Sequence, residues 1–200
     1  MNRLESLLAW TPYLLGGFAW NLLFATVAML VGTAVGTVLA WMRLSPIAWS
    51  RRVSTSLTEL SRNIPTIILQ FYLALMLPGE AVPAWLKAAL ALAVAVVGFT
   101  SDNLLVALRE WRRDRRAAAL LFVPSWCSYL LIIVLASSTA SIIGVGELVS
   151  RSNSLIHASA DSSLMVPVYL WASLIFIGFC SPLMAVLGRV RGALARRYSP

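Results

Sequence analysis

The chain has 200 residues, 60% hydrophobic and 12% charged, with a formal net charge of +8. Soluble domains average nearer half apolar and a quarter charged, and a chain this short still needs a polar surface, so the composition excludes an ordinary soluble domain. The positive balance does not indicate nucleic acid, because the basic residues sit in short gaps between apolar runs instead of forming a stripe on one folded face.

From the N-terminus, Arg3 is followed only by a short apolar stretch at 7–10 with no AxA-like site, so no cleavable leader is expected and the N-terminus reads as mature. Residues 7–20 carry Trp10, Tyr13 and Trp20, aromatics that favour the headgroup zone, and predict an interfacial helix leading into the first span. That span covers about 18–41 and holds a GxxxG pair, Gly32 and Gly36. Such a pair lets another helix approach closely, in a second subunit or as ordinary small-residue packing. The second apolar stretch, 64–77, reaches span length only when extended back through Leu60 and Leu57, to 57–77. The third runs over 83–108, the fourth over 117–143 and the fifth over 164–187. A helix rises about 1.5 Å per residue, so ~20 residues cross a ~30 Å hydrocarbon core. The expected fold is an all-α integral membrane protein, one transmembrane domain over residues 1–200 with about five spans.

The basic residues orient these spans. Arg43, Arg51, Arg52 and Arg62 separate spans one and two; Arg109, Arg112, Arg113, Arg115 and Arg116 separate three and four; Arg189, Arg191, Arg196 and Arg197 follow span five. These alternating regions hold thirteen of the 16 Lys and Arg, while Arg3, Lys87 and Arg151 fall on the other side. The positive-inside rule then places the N-terminus outside and the C-terminus in the cytoplasm.

Nothing in the chain marks an enzyme, and no catalytic residue is assigned. The only lysine, Lys87, stands in no GxxxxGK[ST] loop. The only histidine, His157, has no second His, Cys or Glu beside it, so no metal site is expected. Asp161, four residues on, predicts a solvated pair on one helix face. Cys127 and Cys180 lie in apolar runs without CxxC spacing and read as small buried hydrophobes. No GxSxG elbow is present and no span carries paired carboxylates.

Asp102 is the acidic residue well inside a span, within the polar run Thr100-Ser101-Asp102-Asn103. A carboxylate there is costly and faces protein or water. Two roles fit: a hydrogen bond to a neighbouring helix, or a place beside a solute path with Asn103. Span four ends in Ser137-Ser138-Thr139-Ala140-Ser141, whose hydroxyls permit close packing and cross-helix bonds, making Ser138 and Thr139 further path candidates. Gly144 and Gly146 then permit a sharp turn.

The segment Ser141-Ile142-Ile143-Gly144-Val145-Gly146-Glu147-Leu148 resembles the stretch after the fourth span of polar-amino-acid ABC-transporter permeases, the histidine/glutamine type. Gly17-Phe18, Gly32, Gly36, Leu39-Ala40, Arg43 and Ser45 resemble that family's first span. Glu59-Leu60-Ser61-Arg62-Asn63-Ile64-Pro65, with Gln70, resembles its second, and Phe122-Val123-Pro124 the start of its fourth. The likeness covers roughly residues 14 to 190, and Arg62, Pro65, Gly144, Gly146 and Glu147 are its most specific positions. It implies a type I importer fold with N-out, C-in topology in a bacterial inner membrane. It also implies a second homologous permease (a heterodimer fitting better than a homodimer), a separate ATPase that binds ATP on the cytoplasmic face, and a periplasmic solute-binding protein. This chain itself would hold no cofactor, touch membrane lipid and bind no nucleic acid.

The resemblance breaks at one place. The family's loop between spans three and four carries a Glu-Ala-Ala helix and a glycine that dock in the ATPase. Here Arg109-Glu110-Trp111-Arg112-Arg113-Asp114-Arg115-Arg116 runs almost directly into Ala117-Ala118-Ala119, and Val106 stands at the usual acidic position. Arg109, Trp111, Arg112, Arg113, Arg115 and Arg116 are what remains to face an ATPase; as a bare basic run they equally form an anchor against anionic lipid. Two functions follow: a permease subunit importing a polar amino acid or related small solute, or a permease-derived structural or regulatory partner that has lost coupling.

Overall fold

The computed structural model describes residues 3–196, and Arg197 lies outside them. It is helical throughout, with α1 at Arg3–Met42, α2 at Ala48–Asn63, α3 at Thr66–Met76 and α4 at Ala84–Arg112. Next come α5 at Arg116–Leu120 and α6 at Phe122–Ala136, which passes into a 3-10 segment at Ser137–Ile143. The chain ends with α7 at Leu148–Ser159, a 3-10 turn at Ser162–Leu164 and α8 at Met165–Arg196. Among the described residues, four segments are long and apolar enough to cross a membrane: Leu7–Met42, Ala84–Arg112, Ala118–Ile143 and Ser162–Arg196.

Two expectations about elements change. The separate interfacial helix at 7–20 is the first part of α1, whose 40 residues are about 60 Å long at 1.5 Å per residue and overrun a ~30 Å core. The expected 57–77 span is two helices. Ile64 and Pro65 are extended, and Pro65 lacks the N–H that would continue the α2 ladder. α3 alone is apolar but has only 11 residues, too few for the core.

Side-chain pairings give the relative directions. Trp20 lies near Trp85, and Arg43 bonds Asp102, so α1 and α4 run parallel. Trp126 Nε1 donates to Thr33 and Asn21 donates to Ser137, so α6 runs opposite to α1. Trp171 donates to Thr11, and Phe176 and Phe179 pack edge-on around Phe18, which sets α8 parallel to α1. α2 and α3 descend along α4, with Arg62 beside Asp102 and the Lys87 ammonium donating to the Leu77 carbonyl at 2.6 Å. The two termini of the bundle therefore lie at opposite ends, and Arg43, Arg62 and Arg109 gather at one of them.

The core lies where α1 and α4 meet, around Phe24, Ala28, Met29, Ala89, Leu92 and Val96. Alanines and glycines bring these backbones together. A Cβ at Gly32 would press on Val96 and stand 2.6 Å from the Ala93 carbonyl; at Gly36 it would meet Thr100 and, at 2.8 Å, the Val97 carbonyl. The GxxxG pair is thus used within the chain, and its surface is not free for a second subunit. α8, by contrast, exposes Leu170, Leu174 and Ile177, as a lipid-facing helix does.

Gly32→Leu should therefore lower the thermal midpoint in detergent by an overpacking cost of about 1–3 kcal/mol, since backbone as well as side chains must move. Gly178→Leu, which meets nothing within 4 Å, should leave the midpoint near wild type.

Candidate functional site

The polar run of α4 meets two other elements at the basic end. Asp102 accepts from Arg43 of the α1 C-terminal turn and from Arg62 of α2, each at 2.6 Å and each on a different carboxylate oxygen. The Arg43 side chain is 17% exposed and that of Arg62 60%, so the first pair is the less screened and the stronger. Arg43 also reaches Ser101 at 3.3 Å, and Ser101 shares a 2.8 Å hydroxyl contact with Thr58 of α2. Gly98 makes this junction possible, because a Cβ there would stand 2.5 Å from the Arg62 Cγ. Of the two roles expected for Asp102, the bond to neighbouring helices is realised.

The same residue also borders a cavity of about 540 Å³ lined by Ser61, Arg62, Thr66, Asn103, Phe99 and Tyr129 beside Asp102. Phe99 and Tyr129 stack at 3.8 Å and close one wall, and the Tyr129 hydroxyl donates to the Ala95 carbonyl at 3.3 Å. The break between α2 and α3 opens onto it. α3 begins at Thr66 after Pro65, without a side-chain cap, and Thr66 lines the cavity, so the start of the helix lies at its edge. Discontinuous helices whose N-termini face a cavity are a recurrent way to hold an anionic group inside a membrane protein. Asn103 keeps its amide on its own helix, at the Phe99 carbonyl, 2.9 Å away.

Ser138 and Thr139 do not join this cavity. Ser138 bonds the Leu135 carbonyl of its own turn, while Thr139 lies 3.0 Å from the Gln70 side chain, one turn along α3 from Thr66. Gln70 is fully buried and its amide nitrogen has no partner. The four path candidates thus form two clusters along the broken helix. The sequence does not mark Gln70, Phe99 and Tyr129 as site residues; a glutamine within an apolar run is the available signal for the first.

Of the positions most typical of the resembled family, Arg62 and Pro65 stand beside the Asp102 junction, while Gly144, Gly146 and Glu147 lie at the opposite end. Gly144 adopts φ +84, a left-handed conformation open to glycine, and ends the 3-10 segment. Glu147 follows and is completely buried. It caps α7 by accepting from the Val149 and Ser150 amides, and it accepts from Asn21 of α1 at 3.0 Å. Asn21 donates to Ser137 as well and accepts from the Leu148 amide. Burial pushes the Glu147 carboxyl above its ordinary range, and the two amide bonds and Asn21 only partly oppose this. Arg151, one turn along, turns away to the Gly146 and Tyr13 carbonyls. His157 is exposed near the end of α7, and Asp161 lies beyond the helix, where it accepts from the Ser163 amide; the expected His157–Asp161 helix face does not form.

The run 109–116 is a compact turn. α4 continues to Arg112, Asp114 takes φ 59, and α5 starts at Arg116. Arg113 and Arg115 both pair with Glu110, Arg116 pairs with Asp114, and the Arg116 guanidinium lies 5.7 Å from the Trp111 ring. Arg109 and Arg112 sit in the last turn of α4, where cations suit the helix dipole. No protruding helix stands between α4 and α5.

No protein-family model matches the chain. It is 30% identical over 137 residues, 62% of its length, to the glutamate/aspartate import permease protein GltK of Escherichia coli O6:H1 and equally to that of Escherichia coli O157:H7. The matched stretch spans 60% of those relatives, less than two thirds of their length. A crystal structure of an amino acid ABC transporter with histidines superposes with a TM-score of 0.72 at 18% identity, over 96% of this chain and 97% of that one. The chain is thus similar in sequence to part of these import permeases, and it shares the fold of that transporter chain.

Glu147 generates a pH prediction. Its folded pKa is raised, so between the unfolded and folded values the native state holds more protons than the unfolded state, and stability falls as pH rises. Its contribution is fully present below the ordinary carboxyl range and is lost as pH climbs through the raised folded value. The difference in thermal midpoint between wild type and Glu147→Gln, which cancels the other carboxyls, should shift against wild type with rising pH across that window. A flat difference would show that the buried carboxyl ionises as freely as in the unfolded chain.

Proposed function

We propose that this chain is a transmembrane permease subunit of an ABC importer for a polar amino acid or a related small solute. The observation that carries the reading is the cavity at the α2–α3 break. It brings the uncapped start of α3 at Thr66, the Arg62 side chain and an aromatic wall to one place. That set matches an α-carboxylate and a small side chain. Asp102 and Asn103 border this space, and Gln70 with Thr139 forms a separate polar pair one turn along α3. The relatives' import of glutamate and aspartate is in keeping with an arginine at the cavity.

In this reading the chain crosses a bacterial inner membrane five times, α2 and α3 together making the second passage, with the basic end in the cytoplasm. It pairs with a second, homologous permease, a periplasmic binding protein delivers solute at the Glu147 end, and ATP is hydrolysed on a separate ATPase. In the turn at 109–116, Arg113, Arg115 and Arg116 are paired internally, and no helix projects from it. Coupling is therefore asymmetric: the partner permease transmits most of the ATPase stroke, and this chain supplies the second wall of the path.

Purification of the intact complex, followed by uptake into proteoliposomes, tests this. Arg62→Gln should depress solute uptake at least about tenfold, as loss of a charge-assisted contact does. Replacing Arg112, Arg113, Arg115 and Arg116 with Gln should leave solute-stimulated ATP hydrolysis in place, whereas disrupting the partner's loop abolishes it. Release of the ATPase by the four substitutions in a folded complex would make the short turn a docking site. A complex containing no ATPase at all would favour the uncoupled, structural role.

A further inference from the structure

The basic end holds a second cavity, which shares no lining residue with the one beside Asp102. It encloses about 570 Å³ between three elements: Arg43 at the end of α1, Arg51 and Arg52 in the first turns of α2, and Arg109 near the end of α4. Glu59 is its one acidic group, and Thr55 and Ser56 add hydroxyl donors on the α2 wall. Four positive charges thus face one negative charge across a small space.

The chain satisfies these cations unevenly. Arg43 is held by Asp102 and Ser101. Arg51 donates to the Ser45 and Pro46 carbonyls, which are neutral, and so keeps its charge unpaired. Among the described residues, Arg52 and Arg109 form no ion pair, and both are exposed. Converging guanidinium groups repel one another, and an anion between them converts that repulsion into attraction. Guanidinium groups match phosphate oxygens two at a time, and nearby hydroxyls add donors for the rest.

The neighbouring flank of α2 identifies the source of the phosphate. One helical step from Arg52 and Ser56, Trp49 is 71% exposed and Leu60 56%, with Leu57 beside them. α1 ends its apolar span at Met42, immediately before Arg43. A soluble anion makes no use of an apolar flank. A phospholipid presents its phosphate directly above acyl chains, and a helix with a basic stripe beside an aromatic and leucine face suits that boundary.

We propose that the Arg43–Arg51–Arg52–Arg109 cavity binds the phosphate headgroup of an anionic phospholipid, with Trp49, Leu57 and Leu60 against its acyl chains. Occupancy would brace the ends of α1, α2 and α4 at the Asp102 junction without entering the solute cavity.

The test is native mass spectrometry of the membrane-purified protein with its partners, offered phosphatidylglycerol or phosphatidylcholine. Wild type should retain phosphatidylglycerol preferentially. Arg52→Gln with Arg109→Gln should reduce that retention on the order of tenfold. Arg189→Gln with Arg191→Gln, the same charge loss on α8, should not, and circular dichroism shows whether each variant is folded. Arg52→Gln alone serves where the pair does not fold, with a smaller loss in the same direction. Equal retention by wild type and the Arg52/Arg109 variant overturns the proposal, as does equal loss in the α8 control. Displacement by millimolar inorganic phosphate without any preference for phosphatidylglycerol also overturns it and assigns a soluble anion. Uptake through the Arg62 cavity is measured separately, so failure here leaves the permease reading to stand or fall by its own assay.

Discussion

Asp102 places one negative charge between two arginines drawn from two other elements, and much of the basic end depends on that arrangement. A lone carboxylate inside an apolar span is costly, and only the loss of both arginines would leave it without a charged partner. Arg43 fixes the end of α1, and Arg62 fixes the end of α2, each against the polar run of α4. The geometry needs short distances between backbones. Gly32, Gly36 and Gly98 provide them, because a side chain at any of the three would collide with the facing helix. Electrostatics and small-residue packing are therefore one device, and neither works at this spacing without the other.

The break at Ile64–Pro65 lies beside the same junction. Arg62 must reach Asp102 across Gly98, which holds α2 on α4 at that level, while α3 continues to Gln70 and Thr139. Proline ends the α2 hydrogen-bond ladder there and leaves helix-start amides uncapped beside Thr66. In a membrane protein such groups are tolerated where protein or a polar cavity surrounds them. The cavity lined by Arg62, Phe99, Asp102 and Tyr129 meets that condition.

The two ends of the bundle use their polar residues differently. At the Glu147 end, Asn21, Ser137 and Glu147 form a closed buried network that pins the turn after the 3-10 segment to α1. At the basic end, charges outnumber internal partners. Glu110 and Asp114 take up Arg113, Arg115 and Arg116, but Arg52 and Arg109 remain directed at open space.

The amino-acid sequence by itself determined the class of the molecule. Apolar runs of span length have few alternatives to membrane helices, since every backbone polar group in lipid must be satisfied within its own segment. The alternation of basic residues likewise set which connections share an end, and the fold's pairings agree, because α1, α4 and α8 run parallel and α6 runs opposite. Motif likeness drew attention to Arg62, Pro65, Gly144 and Glu147, yet not to what each does. That needed partners distant in sequence: Asp102 lies 40 residues from Arg62, and Asn21 lies 126 from Glu147. Only the tertiary structure decided that the GxxxG face is spent on α4, that the expected 57–77 span is two helices, and that Ser138 and Thr139 stand apart from Asp102. Each depends on which face of a helix meets which neighbour. Hydropathy along a chain does not carry that information in a membrane, where lipid and protein interior are equally apolar and the usual contrast between buried and exposed faces is lost.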